Sequence, residues 1–308
     1  MFKNIAIKAA LAVCLLGSAT AQAATVLLIP ESSNDTVGMY SALDGSYMGD
    51  LIGPQASLST PINAVQGDDG NIYVSDQIGD DISVFSQSGD LLRSFPNPTD
   101  TNVLDNVRGI TFRDGVLFAT VGGGSNGSAI ARFDPATGAF LGNFIEPNVG
   151  NLESPFDIFF LDTGEALVGG INSDNIALFD ENGSFVRNVL TGTPFPEQIE
   201  QLDNGNMIYA DFLLNAVREF DMMGNIVSEC GLSGARGVYG LGNGQVLATN
   251  GSGVTSIDMA TCTNTVVRDG VSARFIEAFT PVPVPAALPL LLTGLTALGL
   301  FGRRRKAV

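Results

Sequence analysis

Apolar and polar residues alternate along most of this chain in short runs of roughly 4–7 residues. Ile82-Ser83-Val84-Phe85 and Ile176-Ala177-Leu178-Phe179 show the pattern, and a turn pair containing glycine follows each run. A period of two residues is that of a β-strand, whose successive side chains point to opposite faces. Asx-Gly pairs between apolar runs indicate tight hairpin turns. The pattern therefore predicts many short antiparallel strands and no long helix in the body of the chain.

The turns recur with a period of roughly 40–50 residues, which is typical of propeller blades. The first turn of each unit is Asp69-Gly70, Asp114-Gly115, Thr163-Gly164, Asn204-Gly205 and Asn243-Gly244. The second turn is Asp44-Gly45, Ser88-Gly89, Thr137-Gly138, Asn182-Gly183 and Met223-Gly224, and Thr261-Cys262 replaces it in the last unit. Each complete unit thus predicts four short strands.

Five units are complete, beginning at roughly residues 61, 107, 155, 196 and 235. The first unit, from Thr25 to about Gly53, has only three strands, and one surplus strand, Arg274–Phe279, lies at the other end. Pairing of the two ends within one blade would close a ring and remove the open sheet edges. A β-sandwich does not explain why the one incomplete unit is matched by one surplus strand. The sequence predicts an all-β, six-bladed propeller whose first blade is completed by a C-terminal strand.

Two stretches of the body resemble NHL-type repeats. They are Ile72-Tyr73-Val74-Ser75-Asp76 through Asp80 to Ile82-Ser83-Val84-Phe85, and Met207-Ile208-Tyr209-Ala210-Asp211 through Asn215 to Val217-Arg218-Glu219-Phe220. The resemblance covers most of residues 24–280 and implies a propeller fold, which enzymes and binding proteins share. Short polar residues recur once per blade, at Asp76, Asp211 and Asn250 and at Asp35, Asp80, Asp174 and Asn215. We interpret them as loop caps.

Residues 1–23 are typical of a secretory signal peptide. Lys3 and Lys8 form a basic start, an apolar run follows, and Ala21-Gln22-Ala23 is a small-x-small cleavage site. The apolar run is shorter than the roughly 20 residues that span a bilayer. We therefore predict export of the chain.

Residues 281–308 combine three features. The proline-rich run Pro281–Ala286 cannot form helix or sheet, the apolar segment Ala286–Gly302 is just long enough to span a membrane, and Arg303-Arg304-Arg305-Lys306 follows it. Terminal cations hold their end in the cytoplasm. This order of parts resembles the PEP-CTERM sorting signal in its VPLPA variant, with the motif present here as Val282, Pro283, Val284, Pro285 and Ala286.

That resemblance implies an exported envelope protein of a Gram-negative bacterium. It implies anchoring in the inner membrane with the body in the periplasm, cleavage by an exosortase-type enzyme, and release to the cell surface or beyond. Association with exopolysaccharide is also implied. An ordinary single-pass membrane anchor is the alternative.

Charge and composition exclude several functions. The chain carries a formal charge of −17, with 32 acidic and 15 basic residues and no histidine. Removal of both ends would take away all lysines and no acid, leaving a still more acidic body. A surface of this sign opposes nucleic-acid binding. The absence of histidine excludes a Ser-His-Asp triad and a histidine-ligated zinc site.

The repeat alignment predicts two rings of side chains at one end of the central channel. The first ring position is Ile62, Arg108, Phe156, Glu197, Arg236 and Arg274. The second ring position is Asn63, Gly109, Asp157, Gln198, Gly237 and Phe275. Arginine binds carboxylate or phosphate through two parallel hydrogen bonds, so an anionic or sugar-acid ligand is one hypothesis. Pairing of the arginines with Glu197 and Asp157 is the structural alternative.

A divalent cation such as Ca²⁺ is a further hypothesis, because Asn63, Asp157, Glu197 and Gln198 could supply oxygen ligands. The neighbouring arginines and the missing histidine argue against a metalloenzyme of this kind, and we expect no cofactor.

Cys230 and Cys262 are the cysteines that remain after signal removal, and an exported pair could form a disulfide. The alignment places them at opposite ends of neighbouring outer strands, whereas a disulfide needs Cα atoms within about 7 Å. The sequence leaves the pairing open.

Three functions are compatible with these features. The favoured hypothesis is a non-catalytic propeller that binds a glycan, a peptide or a protein partner. The alternatives are a metal-dependent hydrolase or lactonase of the six-bladed type and a matrix component that acts through its acidic surface.

We predict that the mature chain ends near Pro285 and lacks Arg303–Lys306, because the proline motif precedes the apolar segment. Intact-mass measurement on envelope material from the native host would check this. A mass that includes the tail would leave a plain membrane anchor.

Overall fold

Six antiparallel sheets form the body of the protein. The computed structural model describes residues 25–54, 57–96 and 103–281. Each sheet has four strands, so the predicted six-bladed propeller is confirmed. The predicted signal peptide, sorting motif, apolar segment and basic tail lie outside the described residues. Among the residues that are described, none belongs to a helix long and apolar enough to cross a membrane.

The strands follow the chain from blade to blade. Blades 1 to 3 contain β1 Val26–Glu31, β2 Thr36–Ser41 and β3 Tyr47–Ile52; β4 Pro61–Gln66, β5 Ile72–Asp76, β6 Asp81–Phe85 and β7 Leu91–Pro96; and β8 Val107–Arg113, β9 Val116–Val121, β10 Ala129–Phe133 and β11 Phe140–Ile145. Blades 4 to 6 contain β12 Pro155–Phe160, β13 Ala166–Gly170, β14 Asn175–Phe179 and β15 Phe185–Thr191; β16 Pro196–Gln201, β17 Met207–Asp211, β18 Ala216–Phe220 and β19 Ile226–Gly231; and β20 Val238–Gly240, β21 Gln245–Asn250, β22 Gly253–Asp258 and β23 Thr263–Asp269. The last strand, β24 Glu277–Phe279, returns to blade 1, and a short 3₁₀ turn, Val149–Asn151, precedes β12.

Blade 1 is closed by its two chain ends, as predicted. Its strand order is β24-β1-β2-β3, and Val26 lies opposite Phe279 in the antiparallel ladder. The closing strand is shorter than the predicted Arg274–Phe279, because the Gln198 side chain binds both backbone groups of Ile276 at 2.7 and 2.8 Å. The Gln198 side chain also accepts the N–H of Val238 at 3.0 Å. Strand β20 begins at Val238, three residues after the start predicted for this unit.

The hydrophobic core lies mainly between blades. Six clusters each join two neighbouring sheets; the one between blades 2 and 3 contains Tyr73, Val84, Val107 and Leu117. Burial of each large apolar side chain contributes roughly 1.5–3 kcal/mol, so every blade depends on both of its neighbours. A seventh cluster sits on the channel axis.

The recurring polar residues cap their loops, which confirms the structural interpretation. Asp76 accepts the N–H groups of Thr60 and Gly79, both at 2.9 Å. Asp211 binds two N–H groups of the next loop in the same way, and Asn250 does so in blade 6. The loop residues Asp35, Asp80, Asp174 and Asn215 all have φ between 52° and 56°, a conformation that Asp and Asn tolerate.

Glycine in the third-to-fourth-strand turn makes a close contact that recurs around the ring. Gly183, at φ 81°, lies against the carbonyl oxygen of Phe144 in the preceding blade. Gly224, at φ 89°, lies in the same way against Val189. A Cβ atom would collide with the backbone at both places. The turn of one blade therefore crosses the outermost strand of the blade before it.

Cys262 occupies this turn in blade 6, with φ 54°, and its sulfur is bonded to Cys230 of blade 5. The Cα atoms are 5.2 Å apart. The alignment placed the two cysteines too far apart, at opposite ends of neighbouring outer strands. Because the blades are twisted, the turn of each blade crosses the end of the outer strand of the blade before it, and this brings the two cysteines together. The disulfide thus replaces a glycine contact at one of the interfaces between blades.

We predict that Cys230→Ser/Cys262→Ser lowers the free energy of unfolding by about 3 kcal/mol, since the disulfide closes a long loop in the unfolded chain. Cys230→Ser/Cys262→Gly should recover about 1 kcal/mol, because glycine accepts the positive φ of residue 262 without steric cost. Urea unfolding of both variants under identical conditions measures the difference. Equal stability of the two variants would contradict the equivalence of Cys262 with the turn glycines.

Candidate functional site

The residues of the first ring position occupy equivalent places around the channel. The N–H of Gln198 donates to the carbonyl of Arg236 at 3.1 Å, and the N–H of Phe275 donates to Ile62 at 3.1 Å. Each bond runs from the second ring position of one blade to the first ring position of the next. The repeat alignment is therefore correct at the end of the channel where the innermost strands begin, which we call the mouth.

Two other interfaces make the same link through a hydroxyl group. Ser75 accepts the N–H of Asn63 at 3.1 Å and donates to the carbonyl of Arg108 at 2.5 Å. Thr249 accepts the N–H of Gly237 at 2.7 Å and donates to the Arg274 carbonyl at 2.6 Å. These bonds fix the backbone positions from which the arginine side chains extend.

Polar side chains of the second ring position join neighbouring blades. The amide of Asn63 donates to the Ile110 carbonyl at 3.0 Å, and Asp157 accepts the N–H of Ile199 at 2.8 Å. Gln198 binds Val238 in the equivalent way. Three of the four residues considered as oxygen ligands for a metal thus bind backbone groups of the next blade, and Glu197 is the exception. Within the described part of the chain, no group of three or more carboxylate or cysteine residues has the arrangement of a metal site.

Arg108 is held inside the wall of the mouth. Its guanidinium donates to the hydroxyl of Ser154 at 2.9 Å and to the carbonyl of Pro155 at 3.1 Å, and it lies 4.7 Å from the ring centre of Phe156. Burial lowers the pKa of Arg108 to about 10, and Glu197 opposes the shift. Arg108 therefore remains charged at neutral pH and links blade 3 to blade 4.

Arg236 lies beside Glu197 and has an unpaired donor atom. Its Nη1 lies 3.8 Å from Oε1 of Glu197, its guanidinium lies 4.9 Å from the ring centre of Phe212, and its Nε has no hydrogen-bond partner among the described residues. Glu197 is 1% exposed, and its electrostatic neighbours include both Arg236 and Arg108. Two of the three predicted arginines therefore converge on one buried carboxyl group.

Arg274 and Asp157 have other partners. Arg274 donates through Nε to the hydroxyl of Ser32 at 2.9 Å, within blade 1. Asp157 accepts the backbone N–H of Ile199, so the expected pairing of an arginine with an acid is made by Glu197.

Several buried polar atoms at the blade 5 side of the mouth lack hydrogen-bond partners among the described residues. Burial raises the pKa of Glu197 to about 8, against the opposing effect of the two arginines. Its Oε2 has no hydrogen-bond partner in the described structure, and the same holds for Oδ2 of Asp211 and Oγ1 of Thr193. These three residues are at most 1% exposed. Buried polar atoms without partners cost stability, and they are the groups that a ligand can satisfy.

Aromatic rings line the same region and fill the channel beneath it. Phe195 and Phe212 are half-buried, with ring centres 5.3 Å apart, and Phe195 lies 5.7 Å from Phe156. Phe156 packs on Phe275 at 5.8 Å, and both join Ile62 in the axial cluster. The mouth is therefore closed below by apolar side chains and brings together arginine donors, acid acceptors and aromatic faces.

The opposite end of the channel is acidic. Burial raises the pKa of Asp157 to about 7 and that of Glu200 to about 7, and the charge of Asp157 adds to the shift of Glu200. Burial raises the pKa of Glu277 well above its ordinary value, and Glu200 and Asp157 reinforce that shift. Burial also raises the pKa of Tyr239, and the charges of Glu200 and Glu277 add to that shift.

Sequence reasoning missed Glu200, Glu277 and Tyr239. Each lies three residues beyond the first ring position of its blade, so extending the repeat alignment toward the other end of the innermost strand would have identified them. It also missed the mouth residues Thr193 and Phe195, which precede β16 and carry no repeat signal.

Comparisons with known proteins identify the fold. No family model and no curated protein matches this sequence. A protein of unknown function from Bacteroides caccae has a TM-score of 0.62 and 15% identity, covering 83% of this chain and 99% of that one. A structure of the nidogen/laminin complex has a TM-score of 0.66 and 14% identity, covering 84% of this chain and 100% of that one. Virginiamycin B lyase from Staphylococcus aureus has a TM-score of 0.52 and 15% identity, covering 82% of this chain and 79% of that one.

Similarity at these levels of identity establishes the fold alone. The chain is a six-bladed β-propeller with a closed-bottomed, arginine-containing mouth and an acidic opposite end.

We predict that the free energy of unfolding falls as pH rises from 5.5 to 8.5, by on the order of 2 kcal/mol. Folding raises the pKa of Asp157 and Glu200 to about 7 and that of Glu277 well above its ordinary value, chiefly through burial. The folded state therefore binds more protons than the unfolded chain between the unfolded and the folded pKa values. The stability contributed by these protons at pH 5.5 is therefore lost as the pH rises to 8.5. Urea unfolding at both pH values measures the difference in the free energy of unfolding.

Glu200→Gln should reduce this pH dependence, whereas Asp162→Asn, on an exposed turn, should leave it unchanged. A protein that is more stable at pH 8.5 than at pH 5.5 would contradict the assignment.

Proposed function

We propose that this protein is an exported, non-catalytic binding protein of the cell envelope or extracellular matrix, which binds a glycan, peptide or protein partner at the mouth of its propeller. One observation carries the proposal: Glu197, Asp211, Thr193 and Arg236 have buried polar atoms at the mouth that find no partner in the described part of the chain. Such atoms are expected where a ligand supplies the missing hydrogen bonds.

The donor set favours a ligand with carboxylate groups. Arg236 has a guanidinium that the ring stacking on Phe212 orients and that Glu197, at 3.8 Å, does not fully engage. A guanidinium binds a carboxylate through two parallel hydrogen bonds. Glu197, with a pKa near 8, is largely protonated at neutral pH and can donate as well as accept. An acidic sugar or an organic acid satisfies both groups.

The aromatic faces favour a ligand with an apolar surface as well. Phe195 and Phe212 present half-buried rings beside Arg236, and Leu213 and Leu214 extend the apolar surface with 54% and 40% exposure. A pyranose ring or a peptide side chain can pack on such faces while its charged group reaches the guanidinium. The nidogen/laminin structure, in which a similar propeller belongs to a complex of two proteins, supports a protein ligand as a further member of this class.

Catalysis has less support. A variant of the Staphylococcus aureus lyase with one histidine replaced by alanine is catalytically inactive, and this chain has no histidine. The set Asn63, Asp157, Glu197 and Gln198, which would hold the metal of a hydrolase or lactonase, is divided between the mouth and the blade interfaces.

Export, exosortase processing and an association with exopolysaccharide complete the proposal. Their support is in the sequence: residues 1–23 are typical of a signal peptide, and residues 281–308 resemble the tripartite sorting signal. A body without lysine and with a large negative charge remains soluble in a matrix of anionic polymers.

Calorimetric titration with uronic-acid oligomers and citrate tests binding at the mouth. Arg236→Gln should weaken the binding of the acidic ligand at least about tenfold, because a charge-assisted bidentate contact contributes roughly 1.5–3 kcal/mol. Arg132→Gln, in the third strand of blade 3 and away from the mouth, is the matched control and should bind as the wild type does. Both variants should melt within a few degrees of the wild type.

Under the structural alternative, the wild type binds neither the uronic-acid oligomers nor citrate. In that case absence of binding, together with a large fall in melting temperature for Arg236→Gln, would show that Arg236 serves only to neutralise Glu197.

A further inference from the structure

A cavity of about 150 Å³ opens at the acidic end of the channel. It lies between the ends of β8, β12, β16 and β24, away from the mouth, and the axial cluster of Ile62, Phe156 and Phe275 separates the two. Its charged lining residues are Asp157, Glu200 and Glu277. This volume equals that of about five water molecules, so it can hold a small organic group.

The three carboxyl groups that line the cavity are acceptors when ionised, and Thr111 adds a hydroxyl group. Among the described residues no arginine or lysine lines the cavity, and the charges of Asp157, Glu200 and Glu277 act on one another through the low-dielectric interior. A neutral or anionic ligand would find no cationic partner there. A ligand with several N–H donors and a positive charge would relieve the repulsion between the carboxylates.

Asn63 provides a second, independent indication. It is completely buried, and its amide donates to the carbonyl of Ile110, which lines the cavity. Its side chain also interacts with Glu277. The remaining oxygen, Oδ1, has no hydrogen-bond partner among the described residues. A buried amide between two lining residues thus offers an unused acceptor beside the carboxylates.

The spacing of the carboxylates distinguishes between kinds of cation. Within the described ranges, no three carboxylate groups converge as the ligands of a metal ion do. A Ca²⁺ ion requires oxygens at about 2.3–2.6 Å on several sides. An ammonium or guanidinium group instead reaches acceptors at about 2.7–2.9 Å from each nitrogen, in several directions and over a larger span.

We propose that the cavity binds a small organic cation, an alkylammonium or guanidinium group, through Glu200, Glu277, Asp157 and the free oxygen of Asn63. The site is separate from the mouth and does not depend on the function proposed for it. The half-buried Phe112, Phe159 and Phe160 form part of the wall, and aromatic faces attract such cations.

Proton exchange follows from this chemistry. The carboxyl groups that face the cavity hold protons near neutral pH, so a cation that binds to their ionised forms must displace protons. Affinity for the cation should therefore rise with pH, in the opposite direction to the stability of the empty protein.

Calorimetric titration of the purified body with butylammonium and guanidinium chlorides at pH 6.5 and pH 8.5 tests the proposal. We expect saturable binding of at least one probe, about tenfold or more tighter at pH 8.5, with proton release seen as a dependence of the heat on buffer ionisation enthalpy. Tetramethylammonium, which has no N–H donor, should bind at least tenfold more weakly. Thermal melting should rise with the concentration of the bound probe.

Glu200→Gln/Glu277→Gln should abolish this binding while folding normally, because both changes are isosteric and remove buried charge. Arg236→Gln and Asp162→Asn should bind the probe as the wild type does, which separates this site from the mouth and from general surface charge. Three outcomes would overturn the proposal: no saturable binding by the wild type, equal binding by the double variant, or saturable binding of Ca²⁺ that excludes the organic cations.

Discussion

The antiparallel pairing of β24 with β1 is the interaction on which the rest of the structure depends. It joins residues at the two ends of the ring through Val26 and Phe279. Because the hydrophobic clusters lie between blades, each sheet is stabilised by two neighbours, and an open ring would expose one cluster on either side of the gap. Three paired residues thus maintain contacts that extend around the whole ring. This pairing is also among the most non-local in the chain, so its formation carries a large loop-closure cost.

Buried polar groups set the geometry within that ring. Asn63, Asp157 and Gln198 reach from one blade to the backbone of the next, and Ser75 and Thr249 complete hydrogen bonds that the strands alone leave open. These bonds fix the positions of the side chains toward both ends of the channel. The two ends differ: guanidinium groups lie near Glu197 at one end, whereas Asp157, Glu200 and Glu277 lie together at the other, with an apolar layer between them.

The repeat pattern was sufficient to predict the blades, their turns and the closing strand, because strand period and turn chemistry are local properties. It also placed Arg108 and Arg236 on one ring. It could not predict that the Arg108 guanidinium would donate its hydrogen bonds to Ser154 and Pro155, since the direction of a long side chain depends on packing across blades. The alignment also contains no information on the twist of the blades, which brings Cys230 and Cys262 close enough to form a disulfide. Glu200 and Glu277 escaped notice because a lone acid on a strand resembles a solvated surface residue.

The position of the chain ends has a consequence for how the propeller can be displayed. Thr280 exchanges two hydrogen bonds with the side chain of Gln66, at the end of the innermost strand of blade 2. Val26 begins directly opposite Phe279, so the chain enters and leaves the ring on the same face, the one that carries the acid cavity. A tether attached at either end therefore leaves the arginine-bearing face unobstructed, and many copies fixed to one support would all present their mouths in the outward direction.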